Sequence, residues 1–598
     1  RFPIYSIKHA RLVVDKLYRY VHDKDFSSWK NNICIAADDG DEAIHAEQAD
    51  RGSDTLLLKN TSQPRLGFRV NKIYIDSYYM DPQTKKYPEA NRELMKQFNE
   101  GMLVFNYIGH NDPEVGFTGE GLFSRYEMDH LTNTRLPLFI TITCDYCQFD
   151  AEDVSAGENV FLNPSAGAIA LITTTRVVYT DGNDKINQRL MKRLLERDSN
   201  GSPLRIGDVL KLAKRDFNTE IDKNKLNYVL IGDPALKLAY PEHSIQVTRI
   251  NGNSGEKNIE MIPGKNYTVE GEIRSHQNEL LSDFNGYIYY NLYDKEKQFT
   301  TLAHQDKKTW TYTHRPDLLT TGKGTIQNGT FRITVALPID NSHSGKSGLL
   351  NLYAYDESGR EANGYTDKLI VSTAVEPITE DIQGPDIEFA GINDDSFTEG
   401  ILVNNPATFV CKFSDPSGIW SGNSLGKQMT LSLDGACIEE NVARYYKPIA
   451  ESEIPEGEFI YPLPRLSNGL HTLTFKVFDT LGNSSEVTIA FEVKENSETY
   501  TISLEEEPAT ERATISCQDQ NGNDVTESKH TRISVTNTLG EEIWSYETTE
   551  NNLFPLTWNL QDNNGKRVSA GQYYCKGYFE TSAGTIVTPA KKIVVITQ

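Results

Sequence analysis

The first 241 residues alternate between helical and strand-like hydrophobic patterns. In HARLVVDKLYRYV, the residues Val13, Val14, Leu17 and Val21 recur at spacings of three and four, which predicts an amphipathic helix. Three other runs, MLVFNYI, LPLFITIT and AGAIALITTT, are hydrophobic on both faces, as central parallel strands are. Helical patterns lie between or after these runs. The sequence therefore predicts an α/β domain whose parallel sheet is covered on both sides.

From about residue 242 the helical pattern disappears. Short alternating runs such as GYIYYNLYD, FRITVAL and LLNLYAYD follow, separated by Gly, Asn, Asp and Pro, which is typical of antiparallel strands joined by turns. Their spacing is that of immunoglobulin-like β-sandwiches. Boundaries near 380 and 498 divide this part into three modules. We therefore predict an α/β domain over residues 1–241 and β-sandwich modules over 242–380, 381–497 and 498–598.

Composition excludes some functions. Among 598 residues, 84 are acidic and 60 are basic, so the net charge is −24. A nucleic-acid-binding protein needs a basic face, and no run here supplies one, so we expect no nucleic-acid partner. No hydrophobic run approaches the roughly 20 residues of a membrane-spanning helix. The opening RFPIYSIKHARLVVDK resembles the interior of a domain, so we expect an upstream part to precede it.

Seven cysteines are too few for a disulfide-based scaffold. Two pairs each lie within one β-module: Cys411 with Cys437, and Cys517 with Cys575. Each pair could form a bridge or remain two unrelated buried thiols. Cys144 and Cys147 form a C-x-x-C motif, but a zinc site would need a second such pair and a redox site would precede a helical pattern. The first half of the chain offers neither, so we predict no metal at this motif.

A histidine and a cysteine each follow a predicted parallel strand. His110 comes after MLVFNYIG, and Cys144 comes after LPLFITIT. Ligands of open parallel sheets bind beyond the carboxyl ends of the strands, so adjacent strands would bring both side chains to one crevice. An imidazolium favours the reactive thiolate and can later protonate a leaving amine. Taken singly, each residue would more often be structural. Cys144 is favoured over Cys147 as the nucleophile because it is the first residue beyond its strand.

Four motifs resemble, in order and spacing, the gingipain-like cysteine peptidases of family C25. They are NYIGH at 106–110, LPLFITITCDYCQFD at 136–150, NPSAGAIALITTT at 163–175 and NYVLIGDPALKL at 227–238. The resemblance covers residues 1–241 and implies a caspase-like fold and cysteine endopeptidase activity. The start of the chain is similar to the second, catalytic subdomain of that family, which supports the expectation of a preceding subdomain.

The resemblance assigns roles to individual residues. Cys144 matches the family nucleophile, and His110 matches its general acid and base. The acid that orients the histidine corresponds to Asp39, with Asp38 beside it, although this acidic stretch could equally be a turn or a cation site. Asn111 stands where the family has a glycine whose backbone N–H helps to bind the oxyanion, and its own N–H would take that role.

The same resemblance indicates the residues that would contact substrate. Glu42 is only a loose match to the acidic residue that binds basic side chains in gingipains, so strong selection for arginine or lysine is not expected. Arg176 and Tyr179 lie in TTTRVVYTDG, which should form part of the pocket wall. The resemblance implies no cofactor and no catalytic metal, and it leaves a structural calcium ion open.

The β-modules narrow the expected function. One module resembles the β-module that follows the peptidase domain in the C-terminal signal peptidase of the type IX secretion system; it contains DPSGIWSGNSLGKQMTLSLDG. The last module is similar to the FlgD-like and C-terminal sorting modules of that system's clients; it contains WNLQDNNGKRVSAGQYYCKGYFE. This implies a peripheral enzyme on the extracellular face of the outer membrane, held there by an outer-membrane β-barrel protein. It would remove C-terminal sorting domains from secreted proteins and, like a sortase, attach the new carboxyl ends to anionic lipopolysaccharide.

Two other functions compete with this one. One is a general gingipain-like endopeptidase that is itself a client of the secretion system. The other is an adhesin or structural protein whose peptidase domain has decayed.

Overall fold

A computed structural model describes most of the chain. The described residues are 1–23, 25–59, 65, 67–111, 116–117, 121–217, 224–305, 307–339, 345–373, 381–393, 402–403, 405–422, 426–439, 441–449, 454–493, 500–505, 508–519, 523–526, 528–537, 542–550, 553–581 and 584–596. All statements below refer to these residues.

The first part of the chain is an α/β domain. Its strands are β1 (Asn32–Ala37), β2 (Arg69–Tyr74), β3 (Val104–Ile108), β4 (Gly116–Phe117), β5 (Phe123–Ser124), β6 (Leu138–Ile142), β7 (Ala170–Thr174) and β8 (Tyr228–Ile231). Its helices are α1 (Ile7–Val21), α2 (Ile44–Leu57), α3 (Pro88–Glu100), α4 (Arg125–Asp129), α5 (Ala156–Leu162), α6 (Thr180–Leu194), α7 (Ile206–Arg215) and α8 (Asn224–Asn227). Short 3₁₀ helices cover Ser28–Asn31, Asp41–Ala43, Ile75–Ser77 and, in a later module, Ala443–Tyr445.

Six strands form one sheet in the order β2-β1-β3-β6-β7-β8. Neighbours pair in parallel, except that β8 is antiparallel to β7. Every residue of β3, β6 and β7 is buried, as in a sheet covered on both faces. Along β3, Val104 and Ile108 belong to one hydrophobic core, and Phe105 and Tyr107 belong to another. The predicted α/β fold with a parallel sheet is confirmed.

Helix α1 is present where the sequence predicts it, but its buried face differs from the predicted one. Val13 and Tyr20 are buried, whereas Val14 and Val21 are 62% and 63% exposed. Lys16 takes a place on the buried face, where its Nζ donates 3.0 Å hydrogen bonds to backbone carbonyl oxygens in and just after α5. A hydrophobicity pattern could not anticipate a lysine there.

Three β-modules follow the α/β domain; with that domain counted as the first, they are the second, third and fourth modules of the chain. The second module contains β9 (His243–Ile250), β10 (Asn253–Ser254), β11 (Ile259–Met261), β12 (Asn266–Arg274), β13 (Gly286–Tyr293), β14 (Lys297–Thr300), β15 (Thr311–His314), β16 (Leu318–Gln327), β17 (Thr330–Ala336), β18 (Leu349–Asp356), β19 (Glu361–Thr366) and β20 (Leu369–Val371). The third contains β21 (Asp386–Ile392), β22 (Leu402–Val403), β23 (Thr408–Ser414), β24 (Thr430–Leu433), β25 (Ala436–Glu439), β26 (Tyr446–Ile449), β27 (Glu456–Pro462), β28 (Gly469–Phe478) and β29 (Ser484–Val493). The fourth contains β30 (Thr501–Leu504), β31 (Ala513–Gln518), β32 (His530–Asn537), β33 (Glu542–Thr548), β34 (Leu556–Trp558), β35 (Gly571–Thr581), β36 (Gly584–Val587) and β37 (Lys591–Val595).

Each module has its own hydrophobic core. The third and fourth modules each consist of two sheets, as expected for sandwiches. The second module differs from the predicted sandwich: its main sheet closes on itself as a barrel does, because β9 pairs both with β12 and with β19. The all-β prediction is confirmed for this half of the chain. Among the described residues, no helix is both long enough and apolar enough to cross a membrane.

All seven cysteines are described, and all are free thiols. Cys517 and Cys575 are both buried in the core of the last module without a bond between them, so the disulfide alternative is not observed there. In the third module Cys411 is buried and Cys437 is exposed. Near Cys575 in the sequence, Tyr573 donates a 2.9 Å hydrogen bond from its hydroxyl to the carbonyl oxygen of Ser569, four residues earlier.

A hairpin of the second module packs against the α/β domain. Trp310 and Tyr312, on or beside β15, contribute to the core that contains one face of the central sheet. The Trp310 indole N–H donates to Asp50 Oδ2 at 3.3 Å, and the Tyr312 hydroxyl lies 3.1 Å from Ser77 Oγ. The second module is therefore part of the structural unit that supports the sheet.

Candidate active site

Two neighbouring strands end at the same edge of the sheet and place His110 and Cys144 there. Ile108 of β3 is paired with Ile142 of β6, and His110 and Cys144 each come two positions later. The N–H of Gly109 donates to the carbonyl oxygen of Ile142 at 3.2 Å, which continues the pairing toward the site. Adjacent strands lie about 4.8 Å apart, so the register brings the imidazole-bearing and thiol-bearing residues to one crevice.

Cys144 lies at the turn that follows β6. Asp145 has a left-handed backbone (φ 46°), which turns the chain directly after the cysteine. The Cys144 side chain is half-buried, and its Sγ lies 3.5 Å from the carbonyl oxygen of Val178. The thiol thus faces the segment that leads from β7 to α6.

Cys147 occupies a different environment. Its side chain is fully buried, and its backbone N–H donates to the carbonyl oxygen of Thr174 at 3.0 Å. Burial raises the pKa of the Cys147 thiol to about 12, so the thiol stays neutral at physiological pH. A buried neutral thiol is a poor nucleophile, so Cys144 is the better candidate for the nucleophile.

The carboxylate that contacts the imidazole belongs to Asp41. His110 Nε2 lies 2.9 Å from Asp41 Oδ2, and the two side chains are 60% and 49% exposed. This differs from the prediction, which gave the orienting role to Asp39. The Asp39 carboxylate instead accepts hydrogen bonds from the Tyr87 hydroxyl and, at 2.6 Å, from the N–H of Gly40.

The backbone between β1 and α2 explains the difference. Gly40 has φ 93°, and the next three residues, Asp41, Glu42 and Ala43, are all left-handed with φ of 55°, 60° and 62°. Non-glycine residues rarely adopt this conformation, and three in succession are exceptional. This sharp turn places the Asp41 side chain next to His110, and no local sequence pattern predicts the turn.

Asp38 fixes the backbone of the histidine. Its Oδ2 accepts the backbone N–H of His110 at 2.9 Å, and its Oδ1 accepts the N–H of Asp39 at the same distance. The predicted neighbour of the orienting acid therefore anchors the end of β3 to the end of β1.

A second histidine, His45 in α2, lies beside the Asp41–His110 pair, and the sequence patterns do not indicate it. It is only 5% exposed, and its Nε2 lies 3.7 Å from the same Asp41 Oδ2 that contacts His110. The two imidazole rings meet edge to face, with centroids 5.1 Å apart and planes at 81°. The signal that could have revealed it is the i, i+4 spacing of Asp41 and His45 at a helix start.

Asn111 bridges the two strand ends through its side chain. Its Nδ2 donates to the carbonyl oxygen of Cys144 at 3.1 Å. This places Asn111 beside Cys144, and the oxyanion role of its backbone N–H stays a prediction. Residues 112–115, which follow it, lie outside the described part of the chain.

The predicted substrate-contacting residues occupy two places. Glu42 is exposed on the left-handed turn next to Asp41. Arg176 makes a two-pronged ion pair with Asp150, at 3.0 and 2.6 Å, just beyond β7. The Tyr179 ring is 70% exposed in the segment whose Val178 carbonyl faces the thiol, so this segment lies beside Cys144.

Comparison with known proteins relates the α/β domain to a peptidase family. The model of peptidase family C25 matches residues 1–239. The α/β domain thus matches the family of gingipain-like cysteine peptidases that the sequence motifs predicted, whereas the match does not extend to the β-modules. No curated protein sequence is significantly similar to the chain.

Several solved structures are similar at low sequence identity. Dimeric latent PorU from Porphyromonas gingivalis is 18% identical, with 95% of this chain and 64% of that chain covered and a TM-score of 0.31. The complex of the RgpB pro- and mature domains from the same organism is 16% identical, with 62% and 75% covered and a TM-score of 0.33. The titin domains A168–A170 are 9% identical over 59% of this chain and 99% of theirs, with a TM-score of 0.14. The chain thus spans 64% of the length of that PorU chain.

Proposed function

We propose that the chain is a cell-surface cysteine endopeptidase that cleaves C-terminal sorting domains from secreted proteins and can pass the new carboxyl end to an amine. The observation that carries the peptidase part is the position of Cys144 and the Asp41–His110 pair at adjacent strand ends. The sorting-domain and cell-surface parts are supported by the motifs of the β-modules in the sequence.

Asp41 and His110 divide the proton-handling work. Since Nε2 of His110 is paired with Asp41, its Nδ1 is the nitrogen left to exchange a proton with Cys144. The Asp41 carboxylate holds the ring in one tautomer and stabilises the imidazolium that forms beside the thiolate. This arrangement differs from a lone surface histidine, which has no such partner.

The reaction proceeds in two steps. The thiolate of Cys144 attacks the scissile carbonyl carbon, the C–N bond breaks, and His110 gives its proton to the departing amine of the sorting domain. The product is a thioester on Cys144. An incoming amine then attacks the thioester, His110 takes its proton, and the C–S bond breaks. Water in place of the amine gives hydrolysis.

The open site suits a bulky acceptor. The His110 side chain is 60% exposed and Cys144 is half-buried at the surface, so an amine on a large carrier can approach the thioester. We propose anionic lipopolysaccharide as that carrier and an outer-membrane β-barrel protein as the anchor. The reaction itself requires no cofactor in this scheme.

Selection of substrate does not depend on a buried acid in this proposal. Glu42 is solvent-exposed, and the carboxylate of Asp150 is exposed and already paired with Arg176, so neither acid offers an enclosed negative charge for an arginine or lysine side chain. This distinguishes the proposal from a gingipain-like digestive endopeptidase. The contact of Asp41 with His110 speaks against a decayed site, because a decayed site has no reason to retain it.

A client protein that carries its C-terminal sorting domain, incubated with the chain and an amine donor, tests the proposal. Sequencing of the new carboxyl end should find the donor attached, and hydrolysed product should dominate when the donor is omitted. Cleavage at many arginine or lysine sites, without donor attachment, would instead identify a general endopeptidase. Cys144→Ala serves as the inactive control.

A further inference from the structure

The catalytic histidine belongs to a cluster that the peptidase reaction does not fully use. One ligating atom each of Asp38, His45 and His110 lies within 4.8 Å of the other two. His45 is almost completely buried, and His110 is open to solvent. General acid–base catalysis by His110 requires neither the imidazole of His45 nor the carboxylate of Asp38 close to the His110 ring.

We propose that Asp38, His45 and His110 form a site for a divalent transition-metal ion such as Zn²⁺, and that occupation of this site switches the peptidase off. Such an ion would regulate the peptidase site of the proposed function. Binding of the ion does not depend on which substrate the enzyme cleaves.

The chemistry of the three ligands selects the class of metal. Two imidazoles and one carboxylate are the donors of three-ligand zinc sites, in which water or another ligand fills the fourth position. Ca²⁺ and Mg²⁺ prefer sets made only of oxygen donors. Imidazole ligands favour Zn²⁺, Co²⁺ and Ni²⁺, so these ions and not Ca²⁺ should bind here.

The cluster is held in place before any ion arrives. The two hydrogen bonds from the N–H groups of His110 and Asp39 orient the Asp38 carboxylate. The buried ring of His45 lies edge to face with His110. Ligand atoms around tetrahedral Zn²⁺ are about 3.3 Å apart, since each Zn–N or Zn–O bond is about 2.0 Å, so donors within 4.8 Å of one another must approach by at most about 1.5 Å. The exposed His110 ring can supply most of that movement.

Metal binding and catalysis exclude each other for a chemical reason. A ring nitrogen that coordinates the ion cannot carry a proton, and any proton on it passes to water when the ion binds. The ring then cannot become the imidazolium that stabilises the Cys144 thiolate and protonates the leaving amine. The peptidase should therefore be inhibited reversibly, and a chelator should restore its activity.

Metal binding can be measured without turnover. In Cys144→Ala protein, which lacks the thiolate as an alternative ligand, Co²⁺ and Zn²⁺ are titrated in excess Ca²⁺, which occupies oxygen-only sites. Visible absorption of bound Co²⁺ and calorimetry with Zn²⁺ should show one ion per chain. His45→Phe in the same background should weaken binding roughly 100-fold, at least the loss that removal of supporting groups around a metal causes.

Two further variants make the result decisive. His110→Ala should cause the same loss of affinity. Because the His110 side chain is exposed, this variant should fold normally, so it tests the proposal even if the buried His45 variant proves unstable. His22→Phe, at the exposed end of α1, is the matched control and should bind the ion normally. Absence of binding to Cys144→Ala protein, or equal affinity in the His45, His110 and His22 variants, would overturn the proposal. Failure of client cleavage alone would count only against the proposed function.

Discussion

Asp41 Oδ2 lies 2.9 Å from His110 Nε2, although the two residues are 69 positions apart in the chain. The contact joins the turn after β1 to the end of β3, and a left-handed backbone at Asp41 makes it possible. In the proposed mechanism, this carboxylate holds the imidazole in the tautomer whose Nδ1 exchanges a proton with Cys144.

Replacement of Asp41 should therefore harm catalysis more than replacement of Asp39. Asp41→Asn should lower kcat/KM about 10- to 100-fold, a part of the 10²- to 10⁴-fold that proton transfer contributes. Asp39→Asn should have a smaller effect, because its carboxylate is bonded to Tyr87 and Gly40. Steady-state kinetics on a client protein measures both. A larger loss in the Asp39 variant would contradict the assignment.

Gly109 should tolerate no side chain. A Cβ at this position would lie 2.3 Å from Asp38 Cβ and 2.7 Å from the Tyr107 hydroxyl oxygen, so Gly109→Ala must push the histidine loop away from Asp38. We expect loss of most of the activity in a protein with a normal circular-dichroism spectrum. Gly435→Ala is the control, since a Cβ there meets no atom within 4 Å. Full activity of the Gly109 variant would show that the loop position is not critical.

The hairpin of the second module should stabilise the peptidase domain. The ring of Tyr312 is 5% exposed and lies 4.5 Å, centroid to centroid, from Tyr74 of β2. Removal of a buried aromatic ring typically costs about 3–5 kcal/mol, so Tyr312→Ala should lower the free energy of unfolding by roughly that amount. Denaturant unfolding monitored by loss of peptidase activity measures it. Tyr126→Ala, whose ring is 71% exposed, should change little.

The third module should lose stability as pH rises. The carboxylates of Asp381, Asp415 and Asp479 converge to within 4.8 Å. Burial, followed by repulsion from the other two, raises the pKa of Asp415 from 3.8 to about 7. Between these values the folded state binds more protons than the unfolded state, so stability falls as pH rises from about 4 to 7 and is constant above.

Asp415→Asn should remove this penalty. At pH 8 and in EDTA, the variant should be more stable than the parent by at most a few kcal/mol, at about 1.4 kcal/mol per pKa unit. The difference should vanish near pH 4. Asp81→Asn is the contrasting control, because backbone N–H donors lower the pKa of Asp81 and its replacement should not stabilise the protein at high pH. A parent protein whose thermal midpoint rises from pH 4 to 7 at this module would contradict the interpretation.

Local patterns in the sequence predicted the sheet and the two strand-end residues, because hydrophobic runs and the strand-end rule depend on neighbouring positions. They could not predict the contact of Asp41 with His110, since it depends on three successive non-glycine residues with left-handed backbones, and this conformation leaves no sequence signature. They also missed His45, which lies on a helix that looks ordinary. The support from Tyr312 comes from another module and depends on long-range packing.

Formation of a thioester on Cys144 can be observed directly. The enzyme is mixed with a client protein, quenched in acid and digested, and mass spectrometry locates the acyl group within the peptide that contains Cys144 and Cys147. The adduct should be on Cys144, should persist in Cys147→Ala and should disappear in His110→Ala. An adduct on Cys147, or client cleavage that continues in Cys144→Ala, would contradict the central claim.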